Sequence, residues 1–135
     1  MRHLLPDGWP RPKGYSNGIE AEGRQVYVAG MIGWDEAGQF AEGFAGQFAQ
    51  ALRNIIAVLA EAGAGPEHVV RMTWYVTDLG AYRGNLPAIG AAYREIMGRN
   101  YPAMAVVGVT ELVERDALLE IEATAVVSES RNYAP

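Results

Sequence analysis

The feature that most constrains the fold of this chain is an apolar stripe of helical period across residues 44–62. Its members recur three or four positions apart, as one face of an α-helix requires: they are Phe44, Phe48, Leu52, Ile55, Ile56 and Leu59. Polar residues between them, such as Gln47 and Arg53, are expected to lie largely off the stripe. Gly63 and Pro66 then stop a helix, the first by its backbone freedom and the second by its ring. The pattern predicts an amphipathic helix that packs against the rest of the domain.

Two further segments have the alternating pattern of β-strands. Residues 69–77 carry apolar or aromatic side chains on both faces, which predicts an interior strand. Residues 118–127 place one apolar row on one face, which should pack on the helices, and Glu120 and Glu122 on the other. Between these strands lies a second helical region at residues 78–98, where Pro87 is tolerated in the first turn.

The remaining elements complete an α+β architecture. Residues 1–17 are rich in proline and glycine and predict an irregular arm, residues 18–22 and 25–31 predict a hairpin, and residues 103–110 predict a further strand. The order ββαβαββ predicts two helices on one face of a mixed sheet. The length of 135 residues corresponds to one domain, at residues 1–135. The other sheet face is half apolar and half polar, which is typical of an assembly or ligand surface.

Composition excludes several classes of function. The formal net charge is −5 and cations form no run, which argues against binding of nucleic acid. The absence of cysteine excludes disulfides, thiolate metal sites and a cysteine nucleophile. The two histidines, His3 and His68, are 65 positions apart and predict no metal site. No apolar stretch approaches the ~20 residues of a membrane span and no signal peptide is recognisable, so we expect a soluble, cytoplasmic protein.

Sequence motifs for nucleophilic catalysis and nucleotide binding are missing. No serine lies in a Gly-x-Ser-x-Gly elbow, and no glycine-rich phosphate motif follows a strand. The three tryptophans are expected to be core or loop anchors. What remains is the carboxylate pair Glu120 and Glu122 on one strand face. Either both are solvated, or one is desolvated at an interface and passes protons to and from a water molecule.

Six segments of the chain resemble the RidA family, also called YjgF or L-PSP. They are GYSNGI at 14–19, YVAGMI at 27–32, QFAQALRNIIAVLAEAGA at 47–64, VVRMTWYVTD at 69–78, YPA at 101–103 and LLEIEATAV at 118–126. They follow the family's order and approximate spacing across nearly the whole chain. The resemblance implies a chorismate-mutase-like fold and a homotrimer whose sheets form a central barrel, with three ligand clefts between subunits.

The resemblance also implies a reaction and a site. The archetypal activity of the family is cofactor-free hydrolysis of small-molecule enamines and imines, such as 2-aminoacrylate, to ketoacids and ammonia. Carried over to this chain, Glu120 is the catalytic residue that handles the water. The implied substrate-binding residues are Tyr15, Ala29, Gly30, Met104, Ala105 and Val106.

One of these positions departs from the family pattern. Met104 stands where such deaminases have an arginine that grips the substrate carboxylate, and methionine has no donor for that bidentate bond. We therefore expect a substrate other than 2-aminoacrylate, such as a larger enamine resembling 2-aminomuconate. A non-catalytic ligand-binding or chaperone-like trimer is the alternative. Arg11, Arg24 and Arg71 are candidates to replace the missing cation.

Overall fold

The computed structural model describes residues 1–128. Its strands are β1 (Arg2–His3), β2 (Ile19–Glu20), β3 (Arg24–Ile32), β4 (Val69–Val76), β5 (Ala103–Gly108) and β6 (Leu119–Val127). Its helices are α1 (Gly43–Glu61), α2 (Leu79–Gly84) and α3 (Leu86–Met97), and a 3-10 turn at Pro66–His68 leads into β4. None of the helices within residues 1–128 is both long and apolar enough to cross a bilayer.

The main sheet has four strands in the order β3-β6-β4-β5. Strand β6 is antiparallel to both β3 and β4, and β5 runs parallel to β4. Strand β4 is therefore an interior strand, as its two apolar faces predict. The mixed sheet with α1 and α3 packed on it confirms the predicted α+β fold class.

The core lies between α1 and the apolar row of β6. Phe48, Leu52 and Ile55 of α1 are almost completely buried, and so are Leu119, Ile121, Ala123 and Ala125 of β6. The helix spans nearly the predicted range and ends before Gly63, whose φ of 69° is the left-handed value that glycine adopts readily. Burial of this stripe confirms the 3.6-residue pattern as the main determinant of the fold.

Two predictions about secondary structure are wrong. The predicted hairpin does not form, because β2 pairs with β1 at the chain's beginning while β3 pairs with β6. The region at residues 78–98 is two helices rather than one, with Asn85 between them. Asp78 caps α2 by accepting a hydrogen bond from the Ala81 amide, and the Asn85 side chain donates to the Ala81 carbonyl, which ends the first helix after six residues.

Candidate functional site

The sheet has one face covered by α1 and α3 and one that no element within residues 1–128 packs against; we call the second the open face. Paired residues share a face, so the open face contains Glu120 and Glu122 of β6 with Thr73 and Tyr75 of β4. Glu120 is the second residue of β6 and lies near one end of this face, paired with Ile32, the last residue of β3, and with Tyr75. Its side chain is partly buried, whereas Glu122 is exposed.

A β-bulge in β3 brings Gly30 against Glu120. The register of β3 against β6 shifts between Val28 and Met31, so Ala29 and Gly30 lie in the bulge and are exposed there. A Cβ atom added at Gly30 would be 2.3 Å from Oε2 of Glu120. The absence of a side chain at Gly30 therefore lets the Glu120 carboxylate lie directly against the strand backbone. The structure thus brings together three of the predicted site residues: Ala29, Gly30 and Glu120.

A buried glutamine fixes the beginning of the strand that carries Glu120. Nε2 of Gln47 donates to the Asp116 carbonyl at 3.0 Å, and its Oε1 accepts from the Leu118 amide at 2.9 Å. Gln47 is only 5% exposed, so the expectation that it lies off the buried stripe is wrong. Both ends of its amide are satisfied by backbone groups, which is why a polar side chain is tolerated there. Sequence periodicity cannot reveal this because both partners lie about 70 residues away.

The second carboxylate of the open face already has a partner. The Tyr75 hydroxyl donates to Oε1 of Glu122 at 2.6 Å. This hydrogen bond, together with the nearby negative charge, raises the pKa of Tyr75 above its ordinary value. Glu122 is thus held by a neighbour on β4, whereas no hydroxyl group within residues 1–128 is bonded to Glu120. The difference favours Glu120 as the carboxylate available to a ligand.

A cleft of about 450 Å³ opens on the helix-covered side, at the edge of β5. Met104 and Val106 form its strand wall, since they pair with the buried Met72 and Trp74 and so face the helices. Trp74 of β4 also lines the cleft, and the other lining residues come from the arm, α2, α3 and the turn before β5: Lys13, Gly14, Tyr15, Tyr82, Leu86, Ile89, Gly90, Tyr93, Arg94 and Tyr101. Three predicted binding residues, Tyr15, Met104 and Val106, therefore lie together in a largely aromatic cleft.

The cleft and Glu120 lie on opposite faces of the sheet within one chain. Val107 is level with Tyr75, and Tyr75 with Glu120, so Met104 is three residues away along the strand direction and two strands away laterally. Strand geometry makes each of those offsets about 10 Å. Ala105, paired with Thr73, lies on the open face instead. One small substrate cannot contact Met104 and Glu120 of the same chain.

The cations beside Met104 are not the ones that the sequence suggested. Arg24 donates to the Ala62 carbonyl, and Arg71 lines a shallow cavity of the open face beside Glu122. Arg11 lines a neighbouring cavity on the other side of Tyr15. The cleft itself contains Lys13 and Arg94. Arg94 could have been found from its position in α3, eight residues after Leu86 and four after Gly90, which places the three on one helical face.

The arm that carries Tyr15 is held against the edge of β5. The Ser16 amide donates to the Pro102 carbonyl at 3.0 Å, and the Ser16 hydroxyl donates to the Tyr101 carbonyl. His3 bonds to the same hydroxyl through Nδ1 at 2.8 Å. Because the serine proton is directed at a carbonyl, this pair anchors the arm and is not arranged as a nucleophile and base. His68 has a different local role, accepting from the Gly65 amide.

Comparison with known proteins gives matches over nearly the whole chain. Residues 10–127 match the family model described as Endoribonuclease L-PSP. A RutC family protein of Aquifex aeolicus is 34% identical over 93% of this chain and 99% of its own. A human 2-iminobutanoate/2-iminopropanoate deaminase is 31% identical over 83% of this chain and 79% of its own. The crystal structure of YyfB from Yersinia pestis, a Rid family protein of unknown function, covers 93% of this chain and 98% of its own at 33% identity, with a TM-score of 0.82.

Proposed function

The chain belongs to the Rid family, also called YjgF or L-PSP, and we propose that it hydrolyses an enamine or imine other than 2-aminoacrylate without a cofactor. The observation that carries this proposal is the Glu120 carboxylate lying against the backbone of Gly30. Ala29 and Gly30 are exposed at this bulge, so a small ligand and a water can approach the carboxylate, which supports its proposed role as the acid–base group. The 31% identical human deaminase supports the reaction class.

The chemistry assigned to Glu120 is proton transfer. With an enamine, a proton is added to the carbon of the C=C bond that does not bear nitrogen, which gives the protonated imine. The oxygen of water then adds to the C=N carbon while Glu120 takes a proton from that water. Glu120 returns this proton to nitrogen, and the C–N bond breaks as the new hydroxyl group loses its proton, so that ammonia leaves, the ketone remains and the proton used in the first step is regained. General acid–base help of this kind typically contributes ~10²–10⁴-fold, and Tyr15 and the Gly30 amide would orient the substrate.

We propose that the working site is shared between two subunits of a homotrimer. Support comes from the separation of Met104 and Glu120 on opposite faces within one chain. It also comes from the open face, where Tyr27 is 70% exposed and Val107 is 39% exposed. Packing of open faces around a three-fold axis, as in the barrel that the family resemblance implies, would bury these side chains and bring Glu120 toward a neighbour's cleft.

The substrate is proposed to be larger than 2-aminoacrylate. Met104 gives no hydrogen bond to a carboxylate, and the walls around it are mostly aromatic or aliphatic. A larger unsaturated enamine, of the 2-aminomuconate kind, would gain apolar contact there that a three-carbon substrate does not. The net charge of −5 and the lack of a cation run argue against an RNA substrate, despite the family description. The single domain over residues 1–135 and the cytoplasmic location stay predictions.

A second candidate function is ligand binding or chaperone-like binding without turnover. Met104 favours this function, because a cleft without an arginine at this position binds a substrate carboxylate less tightly. Turnover separates the two functions. Imines generated in situ from a panel of amino acids by an amino-acid oxidase should release ammonia faster with the wild-type protein than without it. Absence of acceleration for every imine in the panel would favour the binding protein.

The assembly is tested separately by sedimentation velocity. We predict a species of three times the 14.6 kDa chain mass at micromolar concentration, because one sheet face is left uncovered by the chain's own helices. A species of one chain mass under these conditions would contradict the shared site.

A further inference from the structure

The indole N–H of Trp74 is a buried hydrogen-bond donor that has no part in the proposed mechanism. The residue is 6% exposed, and its indole Nε1–H has no acceptor within residues 1–128. Buried indole N–H groups usually find a partner, and each one that does not calls for an explanation. Trp74 also lines the cleft beside Met104 and Val106, so the ring that carries this donor forms part of the wall of the space where a ligand would bind. The nitrogen itself has almost no exposed surface, so a ligand reaches it only when the surrounding side chains shift.

The groups that surround Trp74 do not supply the missing acceptor. Its ring packs against Phe48 with centroids 4.8 Å apart, and against Tyr82 and Tyr93 at 6.4 and 6.2 Å. The Tyr93 hydroxyl is directed to the Asn100 carbonyl instead. The adjacent strand wall has only the thioether of Met104 and the methyl groups of Val106. The environment is therefore aromatic and apolar, with one unmatched donor.

The cleft also has two cations that form no ion pair within the described chain. Lys13 and Arg94 are exposed and line the same cleft. The Arg94 guanidinium lies over Gly90, where an added Cβ would be 3.8 Å from one of its nitrogens. In a protein with a net charge of −5, these cations provide a local positive potential at the entrance. An anionic group of a ligand can stay there in contact with water.

We propose that the Trp74 indole N–H is a specificity-determining donor for a planar, unsaturated carboxylic acid. The carboxylate lies beside Arg94 and Lys13, because burying it among aromatic rings with one N–H would cost too much solvation. The unsaturated part stacks on the aromatic wall, and a neutral oxygen of the ligand accepts from Nε1 of Trp74. This inference rests on the proposed function in taking the cleft as the ligand site, and it adds the class of ligand and the residue that selects it.

The test uses binding of stable keto acids and therefore needs no turnover. Phenylpyruvate is the planar probe and pyruvate is the small control, both titrated by calorimetry. We expect phenylpyruvate to bind wild type at least about ten-fold more tightly than pyruvate, and Trp74→Phe to weaken phenylpyruvate about five- to ten-fold by loss of one hydrogen bond. Trp34→Phe is the matched control, since Trp34 packs on Phe40 in a loop outside the cleft, and should change the Kd less than two-fold.

A spectroscopic measurement on the wild-type protein keeps the test independent of how the variant folds. On addition of phenylpyruvate, the ¹H–¹⁵N indole resonance of Trp74 should move downfield, whereas those of Trp9 and Trp34 should stay in place. An indole resonance of Trp74 that does not respond while phenylpyruvate binds would overturn the proposal, as would equal affinity of wild type and Trp74→Phe.

The position of the carboxylate is tested with Arg94→Gln. This variant should weaken phenylpyruvate several-fold and leave the binding of phenylacetone, which lacks the carboxylate, unchanged. Equal effects on both probes would contradict the placement at Arg94. The result of these binding tests is independent of deamination. If the protein shows this binding pattern but hydrolyses no imine, only the proposed function is refuted. If the protein is a deaminase but its Trp74→Phe variant binds phenylpyruvate normally, only this inference is refuted.

Discussion

The two faces of the sheet differ in how completely their side chains are packed. On the covered face, nearly every side chain is packed, and polar groups such as Gln47 are satisfied by backbone partners. On the open face, carboxylates and hydroxyls stand on interior strands with Tyr27 and Val107 exposed beside them. The covered face holds the buried core and has a cleft at its edge, while the open face carries the carboxylates of Glu120 and Glu122. The proposed site residues are divided between the two faces, so the proposed function requires two copies of the chain to come together.

The largest expected effect comes from removing the titratable group of the open face. Glu120→Gln preserves volume and should reduce deamination of any accepted imine by ~10²–10⁴-fold, the usual contribution of general acid–base catalysis. Glu122→Gln is the matched control, because Glu122 is two residues along the same face and already bonded to Tyr75. Its turnover should stay close to wild type. Steady-state ammonia release compares the three proteins, and equal rates for wild type and Glu120→Gln would remove Glu120 from the mechanism.

A smaller effect is expected from restoring the family's arginine in the cleft. Met104→Arg adds a bidentate donor for a carboxylate, and hydrogen bonds to charged groups are worth ~1.5–3 kcal/mol, so kcat/KM for 2-aminoacrylate should rise about 10–100-fold. Met104→Leu, which adds no donor, should give no gain. Strong activity of wild type on 2-aminoacrylate would show that the cleft needs no such donor.

The smallest expected effect is a loss of unfolding free energy at alkaline pH, caused by a tyrosine buried on the covered side. Burial raises the pKa of Tyr93 well above its ordinary value. The folded state therefore keeps a proton that the unfolded state releases above pH ~10. Stability is fully present below that pH and falls as pH rises through it, by at most ~1.4 kcal/mol per unit.

Urea unfolding at pH 9, 10 and 11 measures this slope. Tyr93→Phe also loses the hydrogen bond to Asn100 and should be less stable throughout, but its stability should decline less between pH 10 and 11. The same decline in both proteins would assign the alkaline loss to other groups.

The sequence predicts best where one local period determines burial. The stripe of α1 and the two-faced β4 could be identified because each depends on residues within one element. The pairing of β1 with β2 could not, since it joins residues 16 or more positions apart that have no distinctive pattern. The break at Asn85 depends on one side-chain hydrogen bond, and the burial of Gln47 depends on backbone groups of a distant loop.

The candidate site was predictable only in part, and from a different kind of signal. Glu120, Gly30 and Tyr15 were identified by family resemblance, which transfers positions without their geometry. Resemblance did not indicate that Met104 and Glu120 face opposite ways, because that follows from strand register. The proposed roles of Trp74 and Arg94 also depend on packing: one donor has no partner within residues 1–128, and one cation lies across a glycine of its own helix.

The most direct test of a site shared between subunits is complementation in mixed trimers. One chain carries Glu120→Gln, with an intact cleft, and the other carries Met104→Glu, which should repel the substrate carboxylate. Each mixed trimer then has one subunit interface of the three where an intact cleft meets an intact Glu120. A substrate that the wild-type protein turns over should therefore be hydrolysed at about a third of the wild-type rate per trimer. The parent variants alone should be nearly inactive. Mixed trimers, purified through two different tags, that remain as inactive as their parents would contradict the account.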